Sequence, residues 1–158
     1  MYTYVIIDDE PLIRRGTKKK LEPLSHLLTC CGEASDGREG LELVRQLKPD
    51  IVILDMQMPV MDGTELLPAL SEEFPSTALI VISGFQNFDY MKQAISSKVI
   101  DYILKPFSKD EIQQTVLKTI DSLKDKEAED HHLTSMVQEK EEAFYSLDLK
   151  LLTDFLLG

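Results

Sequence analysis

Carboxylates, a hydroxyl and an ammonium stand directly after short apolar runs in this sequence. Asp8, Asp9 and Glu10 follow Tyr4–Ile7, and Asp55 follows Ile51–Leu54. Ser83 and Gly84 follow Leu79–Ile82, while Lys105 and Pro106 follow Tyr102–Leu104. Clustered carboxylates repel one another, so they need a cation or must take up protons. Mg²⁺ suits such a group, because it prefers oxygen ligands and keeps waters alongside one or two carboxylates and a phosphate. Asp55 could then attack phosphorus as a carboxylate nucleophile, giving an aspartyl-phosphate. The metal and the Lys105 ammonium would neutralise charge on the phosphoryl oxygens. A Ser83 hydrogen bond made only when phosphate is present would be a switch. Singly, each residue has an ordinary reading as a turn or surface group. It is the set at successive strand ends that carries weight.

Those positions require a particular scaffold. Tyr4–Ile7, Leu27–Gly32, Ile51–Leu54, Leu79–Ile82 and Tyr102–Leu104 read as strands. Ile51–Leu54 is wholly apolar, as expected for a strand buried on both faces. Between them, Pro11–Leu21, Glu39–Leu47, Leu66–Phe74 and Tyr90–Ser97 read as helices, the first with a basic face. Ser108 and Glu111 form a capping box for a last helix with Ile112, Val116, Ile120 and Leu123 on one face. Strands alternating with helices predict an α/β fold, a doubly wound five-stranded parallel sheet. In such sheets ligands bind beyond the carboxyl ends of the strands.

Composition narrows the function classes. The chain has 158 residues, 43% hydrophobic, and a net charge of −11. That acidity disfavours nucleic acid and anionic membrane as direct partners. No apolar stretch approaches a membrane span, and the N-terminus lacks the basic start of a signal peptide. Cys30 and Cys31 are sequence neighbours and read as reduced strand or core residues, fitting a cytoplasmic setting. After Leu123 the segment KDKEAEDHH is polar, and apolar positions return at Leu133, Val137, Phe144, Leu147 and Leu151. This predicts a C-terminal helical extension, most simply a solvated linker; a short coiled coil with a second copy is the alternative, though the polar gap breaks its heptads. His131 and His132 are adjacent, do not share a helix face, and read as linker rather than metal ligands.

The segments IIDDEPLIRRG, DIVILDMQMPVMDG, IVISGF and DYILKPF closely resemble the receiver domain of two-component response regulators. The resemblance covers about the first 120 residues. It implies a flavodoxin-like strand order of 2-1-3-4-5. It makes Asp55 the phosphoacceptor and Asp9 the direct Mg²⁺ ligand, with Asp8 acting largely through water. The backbone carbonyl of Gln57 would complete the metal site. The Gln57 side chain and Phe85 would tune the lifetime of the phosphoryl group. Ser83 becomes the switch hydroxyl, Tyr102 the aromatic switch residue, and Lys105 the conserved-type lysine before a cis Pro106.

Lys98 departs from the pattern. Many receivers carry glycine there, the usual residue at a left-handed helix end, so the end of the fourth helix is expected to distort or take another geometry. The stretch SGFQNFDYMKQAI and the C-terminal LLTDFLLG are similar to receivers attached to AraC-type (YesN-like) DNA-binding domains. The expected organisation is a receiver over 1–123 and a helical linker over 124–158, leading to a DNA-binding output domain outside this sequence. The implied partner is a sensor histidine kinase. DNA would be reached only through the output domain, with no membrane contact. Where family members form homodimers on phosphorylation, they use the fourth helix, fifth strand and fifth helix.

Two other readings stay open from sequence. A haloacid-dehalogenase-type phosphatase also uses an aspartate nucleophile with Mg²⁺, but it needs a second aspartate two residues on, where Gln57 stands. A receiver-like interaction module that is never phosphorylated would not need the acid–Ser–Lys set. On the main reading the chain is no turnover enzyme, only a self-directed phosphotransfer and slow autodephosphorylation device.

Overall fold

A computed structural model describes residues 1–144, with side chains as far as Ala128. Five strands alternate with five helices: β1 (Tyr2–Ile7), α1 (Pro11–Leu21), β2 (Leu28–Ala34), α2 (Gly37–Leu47), β3 (Ile51–Leu54), α3 (Gly63–Glu73), β4 (Ala78–Ser83), α4 (Phe88–Ser96), β5 (Asp101–Leu104) and α5 (Lys109–Phe144). All pairings are parallel, in the order β2-β1-β3-β4-β5. The doubly wound arrangement and the 2-1-3-4-5 order are therefore as expected. Every residue of the two central strands β3 and β4 is buried. This follows from their unbroken apolar sequence, since helices cover both faces.

Residues Met1–Ile120 form one compact unit. From Asp121 the described chain is the continuing helix to Phe144. The expected boundary after residue 123 falls inside α5. The side chains of His131 and His132 and the segment LLTDFLLG lie outside the described residues.

Helix starts come earlier than apolar periodicity suggests. α2, α3 and α4 are capped by Asp36, Asp62 and Asn87, whose side chains accept from Glu39, Thr64 and Tyr90 N–H groups at 2.8, 3.0 and 2.8 Å. These caps satisfy donors that have no partner within the helix. The two cysteines also differ from the core alternative. Both lie on edge strand β2, where the register with β1 slips at Tyr4/Val5, and Cys31 is exposed. A bulge lets both neighbours leave the regular in–out alternation.

The end of α4 corrects an expectation. It neither distorts nor takes another geometry. Lys98 takes the left-handed conformation itself, with φ 57°. Its N–H reaches the Ile95 carbonyl at 3.1 Å, and the Val99 N–H reaches that of Ala94 at 3.1 Å. This is a Schellman end with lysine in the glycine position. A non-glycine residue there costs about 1–2 kcal/mol, partly offset because glycine loses more freedom on folding. Lys98→Gly is thus expected to raise stability by roughly 0.5–1 kcal/mol. A urea melt that moves to lower midpoint would refute the assignment.

Candidate functional site

Parallel pairing brings the ends of β1, β3, β4 and β5 to one edge. The Ile7↔Leu54 and Ser83↔Leu104 pairs end their ladders, so Asp8, Asp55 and Lys105 emerge side by side. Lys105 Nζ lies 2.9 Å from Asp8 Oδ2 and 3.2 Å from Asp55 Oδ2, with Glu10 Oε1 at 3.5 Å. Asp8 and Asp55 are buried, at 2% and 4% exposure. One carboxylate oxygen from each of Asp8, Asp9, Glu10 and Asp55 lies within 4.8 Å of the others.

One ammonium cannot neutralise this group. Burial pushes the Asp55 carboxyl up to about 6; Lys105 opposes the rise and repulsion from Asp8 adds to it. Burial likewise raises Asp8 against the Glu10 N–H and Lys105. At Lys105 burial pulls the ammonium down, but the hydrogen bond to Asp8 and the charges of Asp55 and Asp8 outweigh it, so the net shift is upward. The all-oxygen donor set and its surplus negative charge fit a hard divalent cation such as Mg²⁺.

The loops are held locally. Asp8 accepts from the Glu10 N–H at 2.9 Å, its carbonyl accepts from Arg14, and Pro11 opens α1. The Met56 N–H donates to Asp55 Oδ1 at 2.8 Å. Beyond Asp55, the loop to α3 is pinned at both ends. Gly63 N–H donates to the Met56 carbonyl at 2.8 Å, and Gly37 N–H donates to that of Met61 at 3.0 Å. A Cβ on Gly37 would stand 2.1 Å from the Met61 carbonyl oxygen, and one on Gly63 would stand 2.6 Å from Met56 Sδ. Side chains at these two positions would push the loop away. Between the pins, the Met61 N–H closes a γ-turn on the Pro59 carbonyl with Val60 at φ 68°. That conformation costs a β-branched residue about 1–3 kcal/mol.

The other expected residues are placed as follows. Asp9 is exposed at the mouth, in a hollow of about 350 Å³ that it lines with Gln57, Met58, Asp62 and Tyr90. Ser83 is fully buried, and its hydroxyl accepts from the Phe85 N–H at 3.1 Å rather than touching Asp55. Tyr102 is half-buried and donates its phenol proton to the Phe85 carbonyl. Its phenol is raised by burial, against a hydrogen bond with Ser83. Phe85 therefore links the two expected switch residues in this state. The Lys105–Pro106 peptide is cis.

Sequence reasoning did not foresee Tyr90 or Arg14 at this edge. The Asn87 cap, which sets the helical phase of α4 and turns Tyr90 toward the hollow, was the available signal for Tyr90. Arg14 lies one helical turn beyond Glu10, which was the signal for it.

The sequence pattern of the response regulator receiver domain family matches residues 4–117. A transcriptional regulatory protein YesN of Bacillus subtilis is 38% identical over 124 residues, covering 78% of this chain and 34% of the relative. A response regulatory protein of Staphylococcus epidermidis is 39% identical over 106 residues, covering 67% of this chain and 41% of the relative. The chain thus spans about two fifths or less of the length of the curated relatives it matches. Among solved structures, the REC domain of AraT, a response regulator from Geobacillus stearothermophilus, superposes with a TM-score of 0.74 at 33% identity, covering 80% of this chain and 98% of that one. Among the described residues, no helix is long and apolar enough to cross a membrane. On the match to residues 4–117 and these relatives, the chain belongs to the receiver domain family of response regulators.

Proposed function

We propose that Asp55 is the phosphoacceptor of a two-component signalling switch. The observation that carries this reading is a buried Asp55 bridged by Lys105 to Asp8, inside a carboxylate group too negative for one ammonium to balance. Mg²⁺, held by Asp8, Asp9, Asp55 and the Gln57 backbone carbonyl, would supply positive charge beside the phosphoryl oxygens. The Asp55 carboxylate attacks phosphorus as the bond to the kinase histidine breaks, and the imidazole leaves with the electron pair. Lys105 pairs with one phosphoryl oxygen, and the Ser83 hydroxyl leaves the Phe85 N–H to donate to another. That movement frees the Phe85 segment, on which the Tyr102 phenol now rests, and lets Tyr102 turn inward.

The same reading makes a sensor histidine kinase the donor and transcription the output, through a DNA-binding domain joined by the 124–158 linker. It also makes the setting cytoplasmic. Phosphorylated copies pair through α4, β5 and α5, where Phe88, Ile95 and Leu104 are exposed at 78%, 76% and 39%. Gln57 in place of a second aspartate argues against a turnover phosphatase, since a carboxamide cannot shuttle a proton. Incubation with Mg²⁺ and acetyl phosphate is expected to add a single phosphoryl mass. Complete absence of an adduct would remove the reading.

A further inference from the structure

We propose that Lys20 is a positioning residue for Lys105, acting from the far end of α1. The inference rests on the phosphoacceptor reading above. Lys20 Nζ donates to the Phe107 carbonyl at 3.1 Å and stands 4.3 Å from the centre of the Phe107 ring. The Lys20 carbonyl in turn accepts from Gln113 Nε2 of α5 at 2.9 Å. One half-buried lysine therefore grips the β5–α5 loop by its backbone and by a ring, and is itself held by α5.

The loop needs such a grip. β5 is an edge strand of four residues, and its last backbone bond runs from the Lys105 N–H to the Ser83 carbonyl at 2.8 Å. The next anchor downstream in the chain is the Ser108 cap, which accepts from Glu111 N–H at 3.1 Å. Phe107, two residues past Lys105, is the piece between them, held by its burial and by Lys20. Phe107 packs into the core, while the Lys20 side of the tie borders open space. A hollow of about 690 Å³ lined by Gly16, Lys19, Lys20, Glu22, Pro23 and Lys109 lies between α1 and the start of α5.

α1 begins directly after Asp8, Asp9 and Glu10 and ends on Phe107's neighbour Lys20 and Leu21. It works as a strut of about 15 Å between the acids and the loop that carries their ammonium. The Lys105 Nζ contacts at 2.9 and 3.2 Å leave little room for that loop to drift.

The test follows phosphoryl uptake from acetyl phosphate at saturating Mg²⁺. Lys20→Met keeps the aliphatic stem but loses the charge and the donor, and should slow uptake about tenfold, the scale of a misplacement below 1 Å. Lys20→Arg should restore most of the rate. Gln113→Leu, which loosens the tie without touching Lys20's charge, should slow uptake two- to threefold, by the same argument. In a Lys105→Met background, Lys20→Met should have no further effect, because a residue that acts through another is not additive with it. An unchanged rate in both Lys20→Met and Gln113→Leu overturns the proposal. So does an equal fold-loss with and without Lys105, which marks a general structural role. Wild-type protein measured in parallel separates the two claims: uptake there with an inert Lys20 leaves the phosphoacceptor reading standing, while no uptake there overturns both.

Discussion

Asp55→Asn is expected to abolish phosphoryl uptake and, with divalent cations chelated, to make the folded chain more stable at pH 7.5 by about 2–3 kcal/mol. The first half follows from losing the nucleophile. The second follows from burial. The Asp55 carboxyl titrates at about 6 in the folded chain against 3.8 as its ordinary value. Between these values the folded state binds more protons than the unfolded one, so stability falls as pH rises through that window. Above pH 6 the loss is complete and the ionised carboxylate is held at full cost. Asp8 is shifted in the same direction and adds to the slope. Asparagine keeps an acceptor for the Met56 N–H and carries no charge, so its stability should show a shallower decline. The two proteins should therefore melt alike near pH 4 and diverge by pH 7. Urea denaturation at several pH values checks this. Equal stability at pH 7.5 would mean that Asp55 is not held against its preference.

The acid at the heart of this prediction was readable in the sequence because strands buried on both faces spell themselves out. Ile51–Leu54 has no polar residue, so the first polar residue after it had to be at the sheet edge. Asp8 and Lys105 were placed by the same logic. What could not be read were features set by contacts between distant segments. The phase of α4 depends on Asn87, so Tyr90 was assigned to a helix but not to the site hollow. Gly37 and Gly63 open their helices because loop backbone and Met56 leave no room for a Cβ, a constraint that no local pattern reports. Lys98 departs from its expectation for a related reason. Glycine is preferred at a left-handed helix end, but the Val99 N–H bond to Ala94 holds the geometry with lysine there. The grip of Lys20 on Phe107 joins residues 87 positions apart and was invisible in a helix that read only as basic.

The second large effect separates two roles that a single lysine plays. Lys105 Nζ occupies the oxygens Asp8 Oδ2 and Asp55 Oδ2, and so competes with any cation for the negative charge of the pocket. It is also the nearest positive group for phosphoryl oxygens on Asp55. Lys105→Met should then move two measurements in opposite directions. Mg²⁺ affinity, read by thermal shift against metal concentration, should rise by about tenfold, since removing a unit charge a few ångströms away is worth on the order of 1–2 kcal/mol in a partly solvated pocket. Phosphoryl uptake at saturating Mg²⁺ should fall about a hundredfold, the usual cost of losing one preorganised charge partner in the transition state. Chelation should stop uptake in both proteins. A variant that binds Mg²⁺ more weakly, and takes up phosphoryl more slowly only for that reason, would show that Lys105 merely holds the acids together. Tighter metal with slower uptake is the outcome expected if the ammonium serves the phosphoryl group itself.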